Sequence, residues 1–456
     1  MTVAGLGLHG GAIGTIEWLV LMGAIVTVTD LKSEEILAPS IKKLSHLSGI
    51  TFVLGEHRDE DFTTADVVVR NPGMPMSSPF LQKALLAGVP ITMDSGLFFD
   101  FCVSQDIIGV TGSKGKTTTS MAITEVVKAL NPQTVAVGVD GVSPLRELSN
   151  ILPDTPVVFE LSSWRLEALV AIEKSPKLAI ITSLYRDHLN TYDSFEEYIE
   201  TKKHILRFQT PRDVAILNAD DSRVRGLENF VKGTLYWYSI SEPPSGEGIG
   251  VVGDMLTVYK DGVSVDLFPL DHLPFTTDHE RRNCLPALLI GFLRGLTPSQ
   301  LKESIKNLQR LPHRLELVRT LHDITYVNDS AATMPDATIV ALESYKEHSI
   351  VHILGGSDKE LLFEDLGKKL SETTIRALVF LPGGATERMK QVISSFVSKE
   401  LPIVDATDMK DAVTKARSLA KPGDTVLLSP GATSFGLFLH EFDRGDTFRE
   451  AVSALV

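Results

Sequence analysis

Short runs of β-branched and apolar residues alternate with stretches of helical spacing along the chain, a rhythm that predicts an α/β fold. Three observations extend that to three domains. At 456 residues the chain holds about three domains of ordinary size. One glycine loop stands between strand and helix near the start, and a second, carrying Lys116 and threonines, opens a new strand–helix series. A third series begins near Pro312. The expected boundaries are 1–100, 101–311 and 312–456.

In the first series, residues 2–4, 25–29 and 65–69 read as strands, the last two ending at Asp30 and at Asn71-Pro72-Gly73. This is a doubly wound, Rossmann-like pattern. Gly5-Leu6-Gly7-Leu8-His9-Gly10 satisfies G-x-G-x-x-G, and Asp30 lies about where a ribose-binding acid stands in dinucleotide sites. A loop of this shape cradles any diphosphate at a helix N-terminus. The separate phosphate loop downstream favours a nucleotide other than NAD.

The central series opens on a strand at 107–110, followed by Thr111-Gly112-Ser113-Lys114-Gly115-Lys116-Thr117-Thr118-Thr119 and a segment of helical spacing. Strand, glycine loop, then Lys-Thr at a helix start is how proteins hold a nucleoside polyphosphate, with Lys116 toward the terminal phosphates and the Thr117 hydroxyl on Mg²⁺. The loop is shorter than the Walker pattern, which needs a glycine where Val110 stands. The central domain is thus expected to be a P-loop, ATP-binding α/β unit. Residues 157–159 form an apolar strand ending in Glu160, a place for a Mg²⁺ ligand or, alternatively, part of a helix N-cap region built on Glu160-Leu161-Ser162-Ser163. The strand at 178–181 runs into a polar segment with Asp187-His188, where a metal or substrate role competes with a structural one. Residues 198–206 read as a helix whose Lys202, taken alone, is a surface lysine. Residues 241–275 read as hairpins on the sheet edge.

The third series, again Rossmann-like, has strands at 324–327, 350–354, 377–381 and 425–428, with glycines at Gly355-Gly356, Gly383-Gly384 and Gly431 on the carboxyl edge of the sheet. A formal net charge of -14 argues against nucleic acid as the main partner. The two cysteines, Cys102 and Cys284, have no metal-ligand spacing and fit a reducing compartment. No segment reads as a membrane span or signal peptide, so a cytoplasmic protein is expected.

The loop 111–119, Glu160-Leu161-Ser162-Ser163, Asp187-His188-Leu189, Leu311-Pro312-His313-Arg314-Leu315-Glu316, Asn328-Asp329-Ser330 and the run 427–435 occur in an order that resembles the Mur ligases. These are ATP-dependent amide-bond ligases of peptidoglycan stem-peptide assembly. The closing segment, through Asp443-Arg444-Gly445-Asp446, is most similar to the member that joins D-glutamate to UDP-N-acetylmuramoyl-L-alanine.

The resemblance implies a role for each domain. Gly5, Gly7, Leu8, His9 and Gly10, with Asp30, Asn71 and Ser162, would take the uridine-nucleotide substrate. Gly112, Ser113, Lys114, Gly115, Lys116, Thr117, Thr118 and Asn283, with His313, Arg314 and Asp329, would serve ATP. Thr117, Glu160, His188 and Lys202 would hold Mg²⁺, as two ions, and Lys116, His188 and Lys202 would be catalytic. Thr333, Lys359, Ser434 and Phe435 would receive the amino acid. The family's carbamylated lysine stands four residues after the aromatic matched by Tyr198, which gives Lys202, with Lys203 the adjacent register. A monomer is expected.

This chain also departs from the pattern. Ala331 stands where the family often has Lys, Glu280 and Asp140 where it has Asn, Arg165 where Gln is usual, and Ser183 where Asn is frequent.

Overall fold

The computed structural model describes residues 1–456 apart from 9, 140–141, 186–191, 193, 276, 307, 309–311, 359–360 and 435. The chain divides into two compact units, Met1–Leu308 and Gln309–Val456. The first carries two sheets and the second carries one.

The first sheet has β1 (Thr2–Ala4), β2 (Val26–Asp30), β3 (Ile50–Leu54), β4 (Val68–Arg70) and β5 (Ile91–Thr92), all parallel, in the order β3-β2-β1-β4-β5. Strand order reverses at the β1/β4 pair, where Ala4 lies beside Arg70. The Gly5 loop and Asn71 therefore leave the sheet side by side, at the crevice where open α/β sheets bind ligands.

The second sheet is built from β6 (Ile107–Thr111), β7 (Val135–Val137), β8 (Val157–Glu160), β9 (Leu178–Ile181), β10 (Val214–Asn218), β11 (Thr234–Tyr238), β12 (Gly248–Val252), β13 (Met255–Lys260) and β14 (Val263–Pro269). Its order is β14-β13-β12-β11-β10-β9-β6-β8-β7. The last two strands in sequence add as antiparallel hairpins at the edge, as the alternating runs of 241–275 predict. β6 lies between β8 and β9, so the phosphate loop, Glu160 and the segment after Ile181 share one carboxyl edge.

These two sheets lie in one unit, and helix Asp94–Phe101 turns aromatic residues onto the second sheet. Phe98 meets Phe159 edge-on at 5.0 Å and Phe99 stacks on it at 5.9 Å. Burying such rings contributes about 2–3 kcal/mol each.

The third sheet has β15 (Glu316–Leu321), β16 (Ile324–Asn328), β17 (Ile350–Leu354), β18 (Ile375–Phe380), β19 (Ile403–Asp405) and β20 (Thr425–Leu428), in the order β15-β16-β20-β17-β18-β19. All pairs are parallel except β15 with β16. The loops after β16, β17 and β20 meet at its carboxyl edge, where Ser357 and Thr433 form an isolated bridge.

Candidate active site

The first glycine loop is held by its neighbours. Gly5, Gly7 and Gly10 have φ of 97°, 58° and 86°, a region costly for other residues. Asn71 Nδ2 donates to the Gly5 carbonyl at 3.2 Å, and a Cβ on Gly5 would lie 2.9 Å from Asn71 Cβ. Asp30, expected to serve the nucleotide, braces the loop. Its Oδ2 accepts from the amides of Leu6 and Gly7 at 2.9 and 3.0 Å, and its Oδ1 from Lys32 N at 2.9 Å. A buried carboxylate takes the nearest donors, and here these are the loop's own amides. Ser40 Oγ donates to the Gly7 carbonyl at 2.8 Å. Leu8 and Gly10 are half-buried at the start of helix Gly11–Leu21. His9 lies outside the described residues, as do His188, Lys359 and Phe435.

The phosphate loop is laced to the end of β9. Ser113 N donates to the Ser183 carbonyl at 2.8 Å, and Lys114 N to Ser183 Oγ at 2.9 Å. Gly112 has φ 147°, and a Cβ there would fall 2.0 Å from Thr182 Oγ1. Gly115 (φ 87°) caps helix Lys116–Lys128 without a side chain to bond its first turn. The helix thus starts at Lys116, as the Lys-Thr pair after the glycine loop predicts, because the left-handed glycine delivers the chain directly into it. A Cβ on Gly115 would lie 2.5 Å from Asn283 Oδ1, which places Asn283, from helix Asp278–Leu293, against the loop. Lys116 Nζ rests on the carbonyls of Gly112 and Ser113 at 2.9 and 3.1 Å. Thr117 is buried and Thr118 half-buried.

Glu160 ends β8 beside Val110. Its Oε2 is buried and accepts no hydrogen bond among the described residues. An orphaned carboxylate oxygen beside a phosphate loop suits a hard cation such as Mg²⁺, whose preference is oxygen. Glu160 is not a helix cap; Ser162 is, accepting from Arg165 N at 3.3 Å. Among the described residues no cluster of three or more His, Cys, Asp or Glu side chains forms a metal site. Lys202 is 1% exposed, so it is not a surface lysine. Its Nζ donates to Thr111 Oγ1 at 3.2 Å and lies 5.2 Å from the centre of the Tyr198 ring. Lys203 points elsewhere, pairing with Glu200 at 2.5 Å.

In the second unit, His313 is buried at φ 63°, its Nδ1 3.0 Å from Asn328 Nδ2. Asp329 accepts from Leu315 N at 3.2 Å and from Ser429 Oγ at 2.7 Å. Arg314 is exposed. Thr333 is half-buried, and its amide donates to the Ala331 carbonyl at 3.0 Å. Ser434 Oγ is buried with no hydrogen-bond partner among the described residues, a donor left over for a ligand.

Three residues that the motifs carry, or depart at, without an assigned role organise the site. Arg444, fully buried, donates to Ser330 Oγ and to the carbonyls of Ser330 and Ala432 at 2.8–2.9 Å, tying the loops after β16 and β20 to helix Glu441–Ser453. Burial holds its guanidinium down to about 10, which leaves it charged at neutral pH. Arg165 donates to Asp94 and to the carbonyls of Gly138 and Val142. Glu280 accepts from Thr277 Oγ1 at 2.5 Å at the start of its helix. Only the charge of these side chains is visible in sequence; their burial is not.

Three family descriptions match in order: Mur ligase MurD-like N-terminal domain over 1–93, Mur ligase middle domain over 110–290, and Mur ligase glutamate ligase domain over 313–431. The chain is 40% identical to the UDP-N-acetylmuramoylalanine--D-glutamate ligase of Roseiflexus sp. (strain RS-1), covering 99% of this chain and 98% of that protein. It is 35% identical to the enzyme of the same name from Geobacter metallireducens, covering 99% and 96%. Among solved structures, the UDP-N-acetylmuramate-alanine ligase MurC of Thermotoga maritima aligns with a TM-score of 0.63 at 18% identity, covering 99% of each chain. The MurF ligase of the same organism, solved with ADP, aligns at 0.58 and 15% identity, covering 94% and 95%. At these identities the two structures speak for the fold; together with the full-length relatives and the three successive domain matches, they show that the chain belongs to the Mur ligase family.

Proposed function

We propose that this protein is the ligase that joins D-glutamate to UDP-N-acetylmuramoyl-L-alanine at the expense of ATP. The observation that carries the reading is the end-to-end likeness to enzymes of that name, in a chain that retains both glycine loops and a fully buried lysine at the phosphate loop.

The residues fit the chemistry. A carboxylate is a poor electrophile because oxide is a prohibitive leaving group. Attack of the alanyl carboxylate on the γ-phosphorus breaks the bond to the β-phosphate oxygen, and ADP leaves. The acyl phosphate then accepts the amine of D-glutamate through a tetrahedral oxyanion. Phosphate departs with the C–O bond, and the amine loses its proton. Lys116 turns from the loop carbonyls to the transferring phosphoryl group, where fixed positive charge is worth most. The Gly5 loop, braced by Asp30 and Asn71, takes the uridine diphosphate. Ser434, Thr333 and Lys359 receive the amino acid, with Phe435 beside them. His313, Arg314 and Asp329 serve the adenosine side.

Glu160, Thr117, His188 and Lys202 would hold two Mg²⁺ ions, which would neutralise polyphosphate charge and polarise the transferring group. Lys202 does this as a carbamate. Its amine adds CO₂, an N–C bond forms, a proton leaves, and a cation becomes an anion with two oxygens. Addition needs the unprotonated amine. The protein acts as a cytoplasmic monomer, in keeping with two free, buried cysteines.

The test is the acceptor. With ATP, Mg²⁺ and UDP-N-acetylmuramoyl-L-alanine, phosphate release is expected to depend on D-glutamate. Stronger stimulation by L-lysine, diaminopimelate or D-alanyl-D-alanine would assign another acceptor, the alternative that the missing cation at Ala331 favours.

A further inference from the structure

A continuous set of contacts runs from the first glycine loop to the phosphate loop through residues that neither loop motif contains. Asn71 bonds the Gly5 carbonyl at 3.2 Å. Its neighbour Arg70, whose side chain is 3% exposed, donates to the Met74 carbonyl at 3.0 Å, which sets the turn following Asn71. The same guanidinium pairs with Glu167 on helix Ser163–Ala171. The other oxygen of Glu167 accepts from Tyr192 Oη at 2.8 Å. The Tyr192 ring lies 5.5 Å from that of Tyr198. Tyr198 Oη in turn lies 3.1 Å from Ser113 Oγ, in the phosphate loop, and its ring lies beneath Lys202.

We propose that Glu167 and Tyr192 are positioning residues that couple occupancy of the first glycine loop to the geometry of the phosphate loop. The physical case is convergence. Glu167 is shared by Arg70, at a strand end of the first sheet, and by Tyr192, ahead of helix Phe195–Arg207. A buried arginine cannot lose its acceptor cheaply, so Arg70 and Glu167 move together. Tyr192 is 6% exposed and Tyr198 1%, so a shift of the Glu167 carboxylate is passed on by packed rings and not absorbed by solvent. When a diphosphate settles on the Gly5 loop, Asn71 and the turn at Met74 are fixed, and with them Arg70, Glu167, Tyr192 and the ring that holds Ser113. The benefit to a ligase is order: the phosphate loop reaches its working form when the carboxylate to be activated is present.

The proposal rests on the reading that the first loop takes the uridine substrate and the second takes ATP. Its test is titration calorimetry of a nonhydrolysable ATP analogue with Mg²⁺, with and without saturating UDP-N-acetylmuramoyl-L-alanine. In the wild type the uridine substrate is expected to tighten the analogue about tenfold, inside the ~5–150-fold span usual for coupled sites. Tyr192→Phe, which keeps the ring and removes only the hydroxyl, and Glu167→Gln are expected to cut that factor to less than about twofold. Glu200→Gln, on the outer face of helix Phe195–Arg207, is expected to keep it. A wild type that binds both ligands without coupling, or coupling that survives intact in Tyr192→Phe, overturns the relay. A wild type that binds neither ligand overturns the reading beneath it, and the relay falls with it.

Discussion

Lys202 and Lys203 are adjacent in sequence and opposite in surroundings. One is 1% exposed against Thr111; the other pairs with Glu200 and lies 4.0 Å over the Phe230 ring. Lys202→Ala is expected to lower turnover by on the order of a hundredfold, the cost of losing a dedicated electrostatic group, with partial recovery on adding a short carboxylic acid. Lys203→Ala is expected to stay within about twofold, as for a half-buried lysine paired with an exposed carboxylate. Equal effects in steady-state phosphate release would remove Lys202 from the site. Composition and spacing do not separate these two lysines, because burial depends on which face of the helix meets the sheet. Lys116 and Glu160, by contrast, are legible locally: each follows directly from a strand end and the turn after it. Asp30 was legible as a residue tied to the loop and not as its brace, since only tertiary geometry shows which donors its carboxylate meets.

At the scale of elements, β17 carries a polar side chain through the core of the second unit. His352 is fully buried, its Nε2 2.9 Å from the Ser429 carbonyl, and its Nδ1 has no partner among the described residues. Burial holds its imidazole down from 6.5 to about 4. The unfolded chain therefore takes up a proton between these values that the folded chain refuses. The resulting stability is fully present above pH 6.5 and is lost as pH falls toward 4, an effect on the order of 3 kcal/mol. Hydrogen exchange across Ile350–Leu354 in the full chain is expected to accelerate from pH 7 to pH 4.5, after correction for intrinsic rates, and His352→Leu is expected to flatten that change. Parallel profiles would show that another group is responsible. Most strands of the three sheets were legible because parallel strands buried on both faces are continuous apolar runs. β3, β5, β10, β11 and β19 were not, nor was β15, where Glu316–Leu321 is a half-exposed antiparallel edge with a register shift between Leu317 and Arg319.

At the scale of the molecule, the three strand–helix series correspond to three sheets, and two of these share one unit. That fusion was not legible. It includes Phe98 and Phe99 meeting Phe159, and Arg70 meeting Glu167, pairings far apart in the chain. The order of motifs across the whole length was legible, because each is a local strand–loop–helix device repeated at a sheet edge. The central claim is that ATP is used to activate a substrate carboxylate and not simply hydrolysed. The direct measurement uses UDP-N-acetylmuramoyl-L-alanine labelled with ¹⁸O in the alanyl carboxylate, turned over with ATP and D-glutamate, and mass analysis of the phosphate released. An acyl phosphate transfers one labelled oxygen to each phosphate. Phosphate that carries no label, formed at the rate of amide synthesis, would contradict the account.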